Sequence, residues 1–364
     1  MIKKQLLRWL PHIDIYLTVS LLLLTVFGLF ILYSASNQNT IIFQQQLMHF
    51  VFAFVVLFIF SYIPPVLYRR WAMGIYTVSL LLLVTVLLIG HTGKGAERWL
   101  NLGFFRIQPS EFMKLALPIF LSAYCHEKPL PLDIRSLILC AIIALTPILL
   151  VAKQPDLSTA ILLIIAAGSV VLLSGISMQF FGIGAGCLII SAPLIWHFLH
   201  DYQKQRVLTF FNPERDPLGA GYHIIQSKIA IGSGGWFGKG WLNGTQSHLH
   251  FLPENATDFI FGVCGEEFGF VGSLFLLTLF ILIIARGLYI TAFAHDTFSR
   301  LLAGSITMTF FMSFFINVGM VTGLLPVMGV PLPLVSYGGS SVVTWMASFG
   351  ILMSIQTHRT LITT

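Results

Sequence analysis

Long, nearly uncharged apolar segments recur along this chain and constrain its fold more than any other feature. A helix needs ~20 mostly apolar residues to cross the ~30 Å hydrocarbon core of a bilayer. Unbroken runs of this kind are typical of helical spans, whereas a transmembrane β-barrel shows short alternating segments. The candidate spans are roughly 15–34, 47–65, 74–90, 108–124, 135–152, 157–174, 177–199, 266–290, 301–325 and 339–356. The sequence therefore predicts an all-α, polytopic integral membrane protein with about ten transmembrane helices.

The composition excludes the other broad classes. Charged residues make up 9% of the chain, against about 25% in an average soluble domain, so a soluble enzyme is excluded. The 56% hydrophobic content also excludes a disordered chain. No repeat or soluble domain interrupts the spans, and we expect a single membrane domain over residues 1–364. The four cysteines, which show neither a metal-ligand spacing nor a disulfide framework, are Cys125, Cys140, Cys187 and Cys264.

The distribution of lysine and arginine predicts the orientation in the membrane. With the N-terminus inside, short loops and tails on the cytoplasmic side carry most of the basic residues. The cytoplasmic set is Lys3, Lys4, Arg8, Arg69, Arg70, Lys128, Arg135, Arg286, Arg300 and Arg359. The short outer loops hold Lys94, Arg98, Arg106 and Lys153. An even number of spans then places both termini in the cytoplasm and leaves one long outer loop at about 200–257.

Basic residues are also unusually frequent on the predicted outer face. The long loop adds Lys204, Arg206, Arg215, Lys228 and Lys239, although a long loop translocates largely regardless of its charge. These cations could simply pair with lipid phosphates, as the net charge of +6 suggests for a membrane protein. Their clustering in three segments, 91–110, 153–156 and 200–257, instead favours convergence on an anionic substrate.

An ionisable pair lies in the least apolar of the predicted spans. The segment Gln108-Pro109-Ser110-Glu111 is typical of a helix start, because proline suits the first turn and an acid complements the helix dipole. Glu111 and Lys114 are three residues apart and can therefore pair on one helical face. Ionisable residues inside membrane segments usually face the bundle interior and serve function. The alternative is a pair that only locks two helices together, and the two roles are compatible.

Two outer segments are candidates for substrate contact. The turn Lys153-Gln154-Pro155-Asp156 joins two apolar runs, and Asp156 could either bind substrate or simply cap the next helix. The segment 226–240 is rich in glycine, which allows close approach of a backbone to a ligand, and glycine-rich nests bind phosphate. The segment does not match the Walker pattern, so taken alone it is a weak indication of phosphate binding.

Asp258 stands where the polar outer loop meets the next apolar run. A carboxylate at such a boundary is partly removed from water and is a competent proton acceptor. The alternative is a helix N-cap, a position that aspartate favours. Further along, the stretch 317–341 breaks an apolar run with proline and glycine at the outer edge of the membrane. Irregular backbone at that depth is tolerated only against protein or a wet cavity, so we expect a re-entrant element that shapes a groove.

These segments together resemble the shape, elongation, division and sporulation (SEDS) family, and the order of the motifs is the same. The short tails and the segments 211–213 and 246–254 resemble its rod-shape branch. The matching segments are Arg98-Trp99-Leu100, Gln108-Pro109-Ser110-Glu111, Lys153-Gln154-Pro155-Asp156, Thr257-Asp258-Phe259-Ile260-Phe261, and the stretch with Asn317, Gly323, Pro326, Gly329 and Ser336-Tyr337-Gly338-Gly339-Ser340. The resemblance covers most of the chain.

The resemblance implies a peptidoglycan glycosyltransferase of the cytoplasmic (inner) membrane that polymerises Lipid II during cell elongation. It implies a class B penicillin-binding protein transpeptidase as partner, together with other membrane proteins of the elongation complex, the nascent glycan strand and membrane lipid. No nucleic acid is expected. The transfer inverts the anomeric centre, releases undecaprenyl pyrophosphate, and takes Asp258 as its base.

Several outer residues are then candidates for contact with the substrate. The developing pyrophosphate charge requires cations, and a divalent ion (Mg²⁺ or Mn²⁺) can share that task; no organic cofactor is expected. The positively charged candidates are Arg98, Lys153, Arg206 and Lys239, with Asp156 beside them. Glu111 and Lys114 are expected to hold the cavity in shape and to couple it to the partner.

Two other functions remain possible from the sequence. Broken apolar segments and intramembrane charges also occur in transporters, so a Lipid II flippase is one alternative. The polar motifs crowd the outer face and no inverted repeat is evident, which argues against it. A non-catalytic scaffold of the wall-synthesis complex is the other alternative. It predicts that substitution of Asp258 leaves cell shape unchanged.

Overall fold

The computed structural model describes most of the chain. The described residues are 13–89, 91–93, 96–101, 106–176, 201–212, 220–249, 251–252 and 254–358, with isolated positions between 182 and 197. The predicted span at 177–199 lies almost entirely outside them. The elements in chain order are α1 (Ile15–Ala35), α2 (Thr40–Tyr62), α3 (Pro65–Ile89), β1 (His91–Gly93), β2 (Ala96–Asn101), β3 (Arg106–Ile107), α4 (Pro109–His126), α5 (Ile134–Lys153), α6 (Leu157–Leu173), α7 (Asp201–Phe211), α8 (Ala220–Ser233), α9 (Thr245–His248), α10 (Ile260–Ala292), α11 (Thr297–Thr322) and α12 (Gly339–His358).

The all-α membrane architecture is confirmed. Each predicted span other than 177–199 corresponds to one helix, with ends that differ by up to nine residues. Six helices of the described chain, α1, α2, α3, α5, α10 and α11, are long and apolar enough to cross a membrane. Large apolar side chains cover their outward faces, for example Leu22, Leu81 and Leu145, which are 51%, 60% and 50% exposed. Faces of this kind suit contact with lipid hydrocarbon, and the chain is a multi-pass membrane protein.

The outer segments are more ordered than the sequence suggested. The region predicted as one long loop contains α7, α8 and the short α9. In α8, Ile224, Ser227 and Ala230 recur at helical spacing and are buried, so α8 packs one face against the bundle although, at 14 residues, it is too short for a span. The first outer segment forms a small antiparallel sheet in the order β1-β2-β3, with Leu100 opposite Ile107.

Polar side chains determine where several helices begin. Asp14 accepts a hydrogen bond from the Leu17 backbone N–H at 3.1 Å at the start of α1. The Asp133 carboxylate accepts from the Ser136 backbone N–H at 3.2 Å before α5. Hydrogen bonds from the side chain and the backbone of Ser136 lower the pKa of the Asp133 carboxyl. In α4, Pro109 occupies the first turn, where a missing N–H costs nothing. Caps of this kind satisfy backbone groups that hydrocarbon cannot.

The core is formed chiefly by α10, α11 and α12, with α2 packed against α12. Aromatic rings join the three helices: Phe280 stacks on Phe314 with centroids 4.4 Å apart, and Phe310 meets Trp345 edge to face at 5.3 Å. At the predicted cytoplasmic end, Asp14 pairs with Arg286 at 2.7 Å and connects α1 to α10. The bundle therefore supports the predicted outer ends of α6, α10 and α11, where the candidate site lies.

Candidate active site

Asp258 lies in a turn directly before α10, and its backbone is held by a buried side chain. The Nδ2 group of Asn317, on α11, donates to the Asp258 carbonyl at 2.9 Å and to the Val330 carbonyl at 2.7 Å. Asn317 is fully buried. The N-cap position of α10 is Phe259, so the alternative interpretation of Asp258 as a helix cap is wrong. Asp258 itself is half-buried, which suits a carboxylate that must meet a substrate.

The irregular segment between α11 and α12 is packed against the turn that carries Asp258. The Ser336 hydroxyl donates to the Thr257 carbonyl at 2.5 Å and accepts from the Leu332 N–H at 2.8 Å. The Tyr337 N–H donates to the Ala256 carbonyl at 2.9 Å. These polar groups of the irregular segment therefore bond to protein, which is the condition for non-helical backbone at membrane depth. The segment is a largely buried irregular element beside Asp258; that it is re-entrant and shapes a groove stays a prediction.

Gly329 brings this segment into contact with the carboxylate itself. Its φ is +72°, a conformation that side chains rarely adopt, and a Cβ added there would lie 3.4 Å from Asp258 Oδ2 and 4.0 Å from Ser158 Oγ. Ser158 belongs to the first turn of α6 and donates to the Met328 carbonyl at 2.6 Å. The N-terminal end of α6, which carries partial positive charge, therefore lies beside Asp258.

The structure also connects the turn before α6 to the segment before α4. Asp156 is buried and accepts from the Thr159 N–H at 3.3 Å and the Thr159 hydroxyl at 2.9 Å. It also accepts from Gln108 Nε2 at 3.0 Å. Asp156 is thus a helix cap that joins α4 to α6, and its predicted contact with substrate remains a prediction. Lys153, at the last turn of α5, is exposed.

The four predicted pyrophosphate-binding cations lie on different segments of the chain. Arg98 lies in β2, but its side chain is outside the described part of the structure, and Arg206 is half-buried on α7. Lys239 Nζ is 2.7 Å from Glu266 Oε1, and the Glu266 side chain is completely buried. The ammonium of Lys239 is therefore bound to a buried carboxylate. The roles of Arg98, Lys153, Arg206 and Lys239 in substrate binding stay predictions.

The Glu266 carboxylate accepts hydrogen bonds from several groups in and just after the glycine-rich segment. Besides Lys239, its carboxylate accepts from the Thr245 hydroxyl at 3.1 Å and from the backbone N–H groups of Gln246 and Ser247 at 2.9 and 3.3 Å. The last two N–H groups belong to the first turn of α9. One carboxylate thus holds a lysine and a helix N-terminus together, a favourable arrangement for both the charge and the orphan donors.

The glycines of this segment serve close packing of backbone on backbone. A Cβ on Gly234 would collide with the Gly265 carbonyl, and one on Gly238 with the Glu267 carbonyl. The Gly240 N–H donates to that Glu267 carbonyl at 3.0 Å. Opposite them, α10 is broken at Gly269, whose φ is +65°. Gly234 and Gly238 therefore have a structural reason, and phosphate binding by the segment stays a prediction.

The predicted pair of Glu111 and Lys114 is present. Their side-chain atoms lie 2.7 Å apart, and both side chains are 8% exposed. Lys114 Nζ also lies 5.5 Å from the centre of the Trp345 ring, so the pair connects α4 to α12. A charged pair at this depth is retained for position or function, because removing either partner leaves a buried charge unpaired.

Sequence reasoning did not identify three residues that border the site. Ser158 contacts the Gly329 segment as described above, and Gln46 on α2 accepts from the Gly338 N–H at 3.2 Å. The ring of His223 on α8 stacks on Phe259, the neighbour of Asp258, with centroids 5.7 Å apart. These contacts join residues far apart in the chain, so no local pattern marks them. Within the described residues, no group of three or more His, Cys, Asp or Glu side chains could hold a metal ion.

Comparison with known proteins identifies the family. The family model FTSW_RODA_SPOVE, described as "Cell cycle protein", matches residues 14–361. The chain is 48% identical over 349 residues to "Peptidoglycan glycosyltransferase MrdB" of Escherichia coli (strain K12), which covers 96% of this chain and 94% of that protein. It is 33% identical over 364 residues to "Stage V sporulation protein E" of Bacillus subtilis (strain 168), with 95% and 97% covered.

Solved structures agree with this assignment. A chain from the structure described as "Structural coordination of polymerization and crosslinking by a peptidoglycan synthase complex" superposes with a TM-score of 0.84 at 30% identity, over 95% of this chain and 98% of that chain. The crystal structure of the rod-shape determining protein RodA of Thermus thermophilus gives a TM-score of 0.72 at 26% identity, over 94% and 96%. The chain therefore belongs to the FtsW/RodA/SpoVE family, the SEDS family that its motifs resemble.

Proposed function

We propose that this protein is a peptidoglycan glycosyltransferase that polymerises Lipid II into glycan strands at the outer face of the cytoplasmic membrane. The observation that carries the proposal is the position of Asp258. A half-buried carboxylate stands on a backbone held by Asn317, beside the N-terminal end of α6. The names of the relatives support the activity, and the higher identity to the MrdB relative than to the sporulation relative supports a role in cell elongation.

In the proposed reaction the growing strand is the donor. Its anomeric carbon carries undecaprenyl pyrophosphate, and the 4-hydroxyl of the GlcNAc residue of an incoming Lipid II attacks that carbon. Asp258 takes the hydroxyl proton as the new C–O bond forms. The bond from the anomeric carbon to the pyrophosphate oxygen breaks, and undecaprenyl pyrophosphate leaves with the electron pair. Inversion requires the base and the leaving group on opposite faces of the sugar.

The leaving pyrophosphate needs positive charge around it. Lys153 is exposed near the first turn of α6, and Arg98 and Arg206 lie on the same predicted outer face, so these three are the proposed contacts. Lys239 is a weaker candidate because Glu266 already binds its ammonium group. Asp156 serves the site indirectly, since it holds the α6 terminus against Gln108.

A divalent cation, Mg²⁺ or Mn²⁺, remains part of the proposal as a possible aid to the leaving group. Mg²⁺ typically binds one or two carboxylates together with substrate phosphates and water. The described residues provide no group of three ligating side chains, so the substrate phosphates would supply most of the coordination. No step of the proposed reaction depends on this ion.

The membrane placement and the partners follow from the same proposal. The bias of lysine and arginine supports cytoplasmic termini and an outward-facing site in the inner membrane. Crosslinking of the product requires a transpeptidase, and the peptidoglycan synthase complex among the structural neighbours supports a class B penicillin-binding protein as partner. Other membrane proteins of the elongation complex would contact the lipid-facing helices.

Purified protein given Lipid II in detergent, together with its transpeptidase partner, tests the activity. We expect glycan strands longer than one disaccharide, visible by gel electrophoresis of labelled product. A flippase has no membrane to cross in this assay and produces no strands. A scaffold also produces no strands. If the protein were a scaffold, cells would lose their shape after substitutions on the helix surface and not after substitution of Asp258.

A further inference from the structure

A well-formed cavity lies outside the candidate active site, along one face of α3. Its volume is about 670 Å³, within the range of ~300–1,000 Å³ typical of ligand pockets. Residues from Arg70 to Leu82 line one side at helical spacing, and Leu100 and Ile107 from the small sheet and Phe112 from α4 line the other. We call this cavity the α3 groove. Its lining is almost entirely apolar.

One end of the α3 groove carries a positive charge. Among the described residues that line it, Arg70 alone is charged, and its side chain is exposed. The neighbouring Arg69 does not line the groove and instead donates to His126 Nε2 at 2.5 Å. An arginine at the mouth of an apolar channel matches a molecule with an anionic head and an apolar tail, since guanidinium binds phosphate in a bidentate manner.

The length and depth of the α3 groove fit a lipid chain. Twelve residues separate Arg70 from Leu82, which is ~18 Å along a helix, slightly more than half of the ~30 Å hydrocarbon core. The groove opens sideways, as Trp71 and Val78 on its edge are 55% and 58% exposed. Gly74 lies on its wall, and a Cβ added there would meet nothing within 4 Å.

We propose that the α3 groove binds one anionic phospholipid of the cytoplasmic leaflet, with its phosphate on Arg70 and an acyl chain extending toward Leu82. The choice of leaflet rests on the orientation in the proposed function, which places the Arg70 end of α3 at the cytoplasmic surface. That surface is rich in anionic lipid. The bound lipid would support α4 through Phe112, the neighbour of Glu111, and thus stabilise the site from behind.

Native mass spectrometry of the full chain in detergent tests binding without any need for catalysis. The probes are phosphatidylglycerol and a diacylglycerol with the same chains. We expect Arg70→Gln to weaken phosphatidylglycerol binding about tenfold and to leave diacylglycerol binding unchanged. Gly74→Phe fills the groove and should weaken binding of both probes at least tenfold. Gly168→Phe on α6 is the matched control, because that position is equally open, and it should bind as the unchanged protein does.

Four results would overturn the proposal. Full binding by the Gly74→Phe protein would place the lipid elsewhere, and an unchanged affinity of the Arg70→Gln protein for phosphatidylglycerol would remove the phosphate contact. Preferential displacement by undecaprenyl phosphate would identify a polyprenyl chain as the occupant. Labelling of an Arg70→Cys protein by an impermeant maleimide from the outside alone would overturn the leaflet assignment. Lipid II polymerisation in detergent is measured separately, so failure of the activity and failure of the groove are distinguishable.

Discussion

Two carboxylates near the outer end of α10 have opposite surroundings. Glu266 is completely buried and binds a lysine, a hydroxyl and two backbone N–H groups. Asp258 is half-buried, and Asn317 donates to its backbone carbonyl. A fully buried carboxylate that accepts from four donors stabilises structure, whereas a substrate can reach a partly exposed carboxylate on a fixed backbone. A place near this end of α10 therefore does not by itself tell which carboxylate is the proposed base.

The largest expected effect follows from replacing Asp258, the proposed catalytic base. We expect Asp258→Asn to lower Lipid II polymerisation by about 10²- to 10⁴-fold, the range typical of a lost general base, because the amide cannot accept the proton. The melting temperature in detergent and binding to the transpeptidase partner should stay unchanged. Substantial polymerisation by a folded Asp258→Asn protein would reverse the roles that we assign to the two carboxylates.

Replacing the structural acid should instead affect folding. Glu266→Ala leaves the Lys239 ammonium and the N–H groups of Gln246 and Ser247 without their acceptor, and we expect the free energy of unfolding to fall by about 3 kcal/mol. A thermal melt in detergent measures the loss. Glu127→Ala is the matched control, because Glu127 is exposed and its removal should change stability by less than about 0.5 kcal/mol. Equal melting temperatures for the two variants would contradict the comparison.

Asn317 tests how strongly the Asp258 backbone must be held. Asn317→Ala removes one buried and one partly buried hydrogen bond to carbonyl groups, and we expect a loss of about 2 kcal/mol in stability. Polymerisation should fall about tenfold or more, because small misplacements of a catalytic group are costly. The activity of the remaining folded protein is the informative quantity. If it matched that of an Asn243→Ala protein, altered at an exposed position of the outer segment, the support from Asn317 would be irrelevant to catalysis.

The smallest effect is expected when both members of the Lys239–Glu266 pair are replaced together. Apolar replacement of a buried ion pair is often close to neutral, so Lys239→Met with Glu266→Met should be more stable than Glu266→Ala, within about 2 kcal/mol of the unchanged protein. Activity decides between two roles of Lys239. A double variant that is stable and polymerises normally would show a structural lysine, and one that is stable but inactive would show a contact with pyrophosphate.

The membrane fold could be predicted from the sequence because lipid imposes a length and an apolar composition on every span. Asp258 could be proposed as the base, since it stands at the boundary between a polar loop and an apolar run and belongs to a recognisable motif, and this role stays a prediction. The pair of Glu111 and Lys114 followed from its spacing on one helix. In each case the pattern lies in neighbouring residues of the chain, so it can be recognised without knowledge of tertiary packing.

The rest depended on contacts between distant segments. Ser158 and Asn317 border Asp258 only because α6 and α11 meet at the outer end of the bundle. The glycines near 234–240 suggested a phosphate site, and the structure instead shows backbone packed on the broken part of α10. Lys239 was counted as a free cation, since nothing in the sequence shows that Glu266, buried in an apolar run, faces it. Partners of buried charges are set by topology.

Chemical rescue tests the central claim most directly. An Asp258→Ala protein lacks the carboxylate but leaves room for a small one, so formate added to the Lipid II assay should restore polymerisation in proportion to its concentration. The Glu266→Ala protein should show no such response. Recovery confined to the Asp258→Ala protein would establish a carboxylate base at this position. Polymerisation by the Asp258→Ala protein at the unchanged rate without formate would contradict the account.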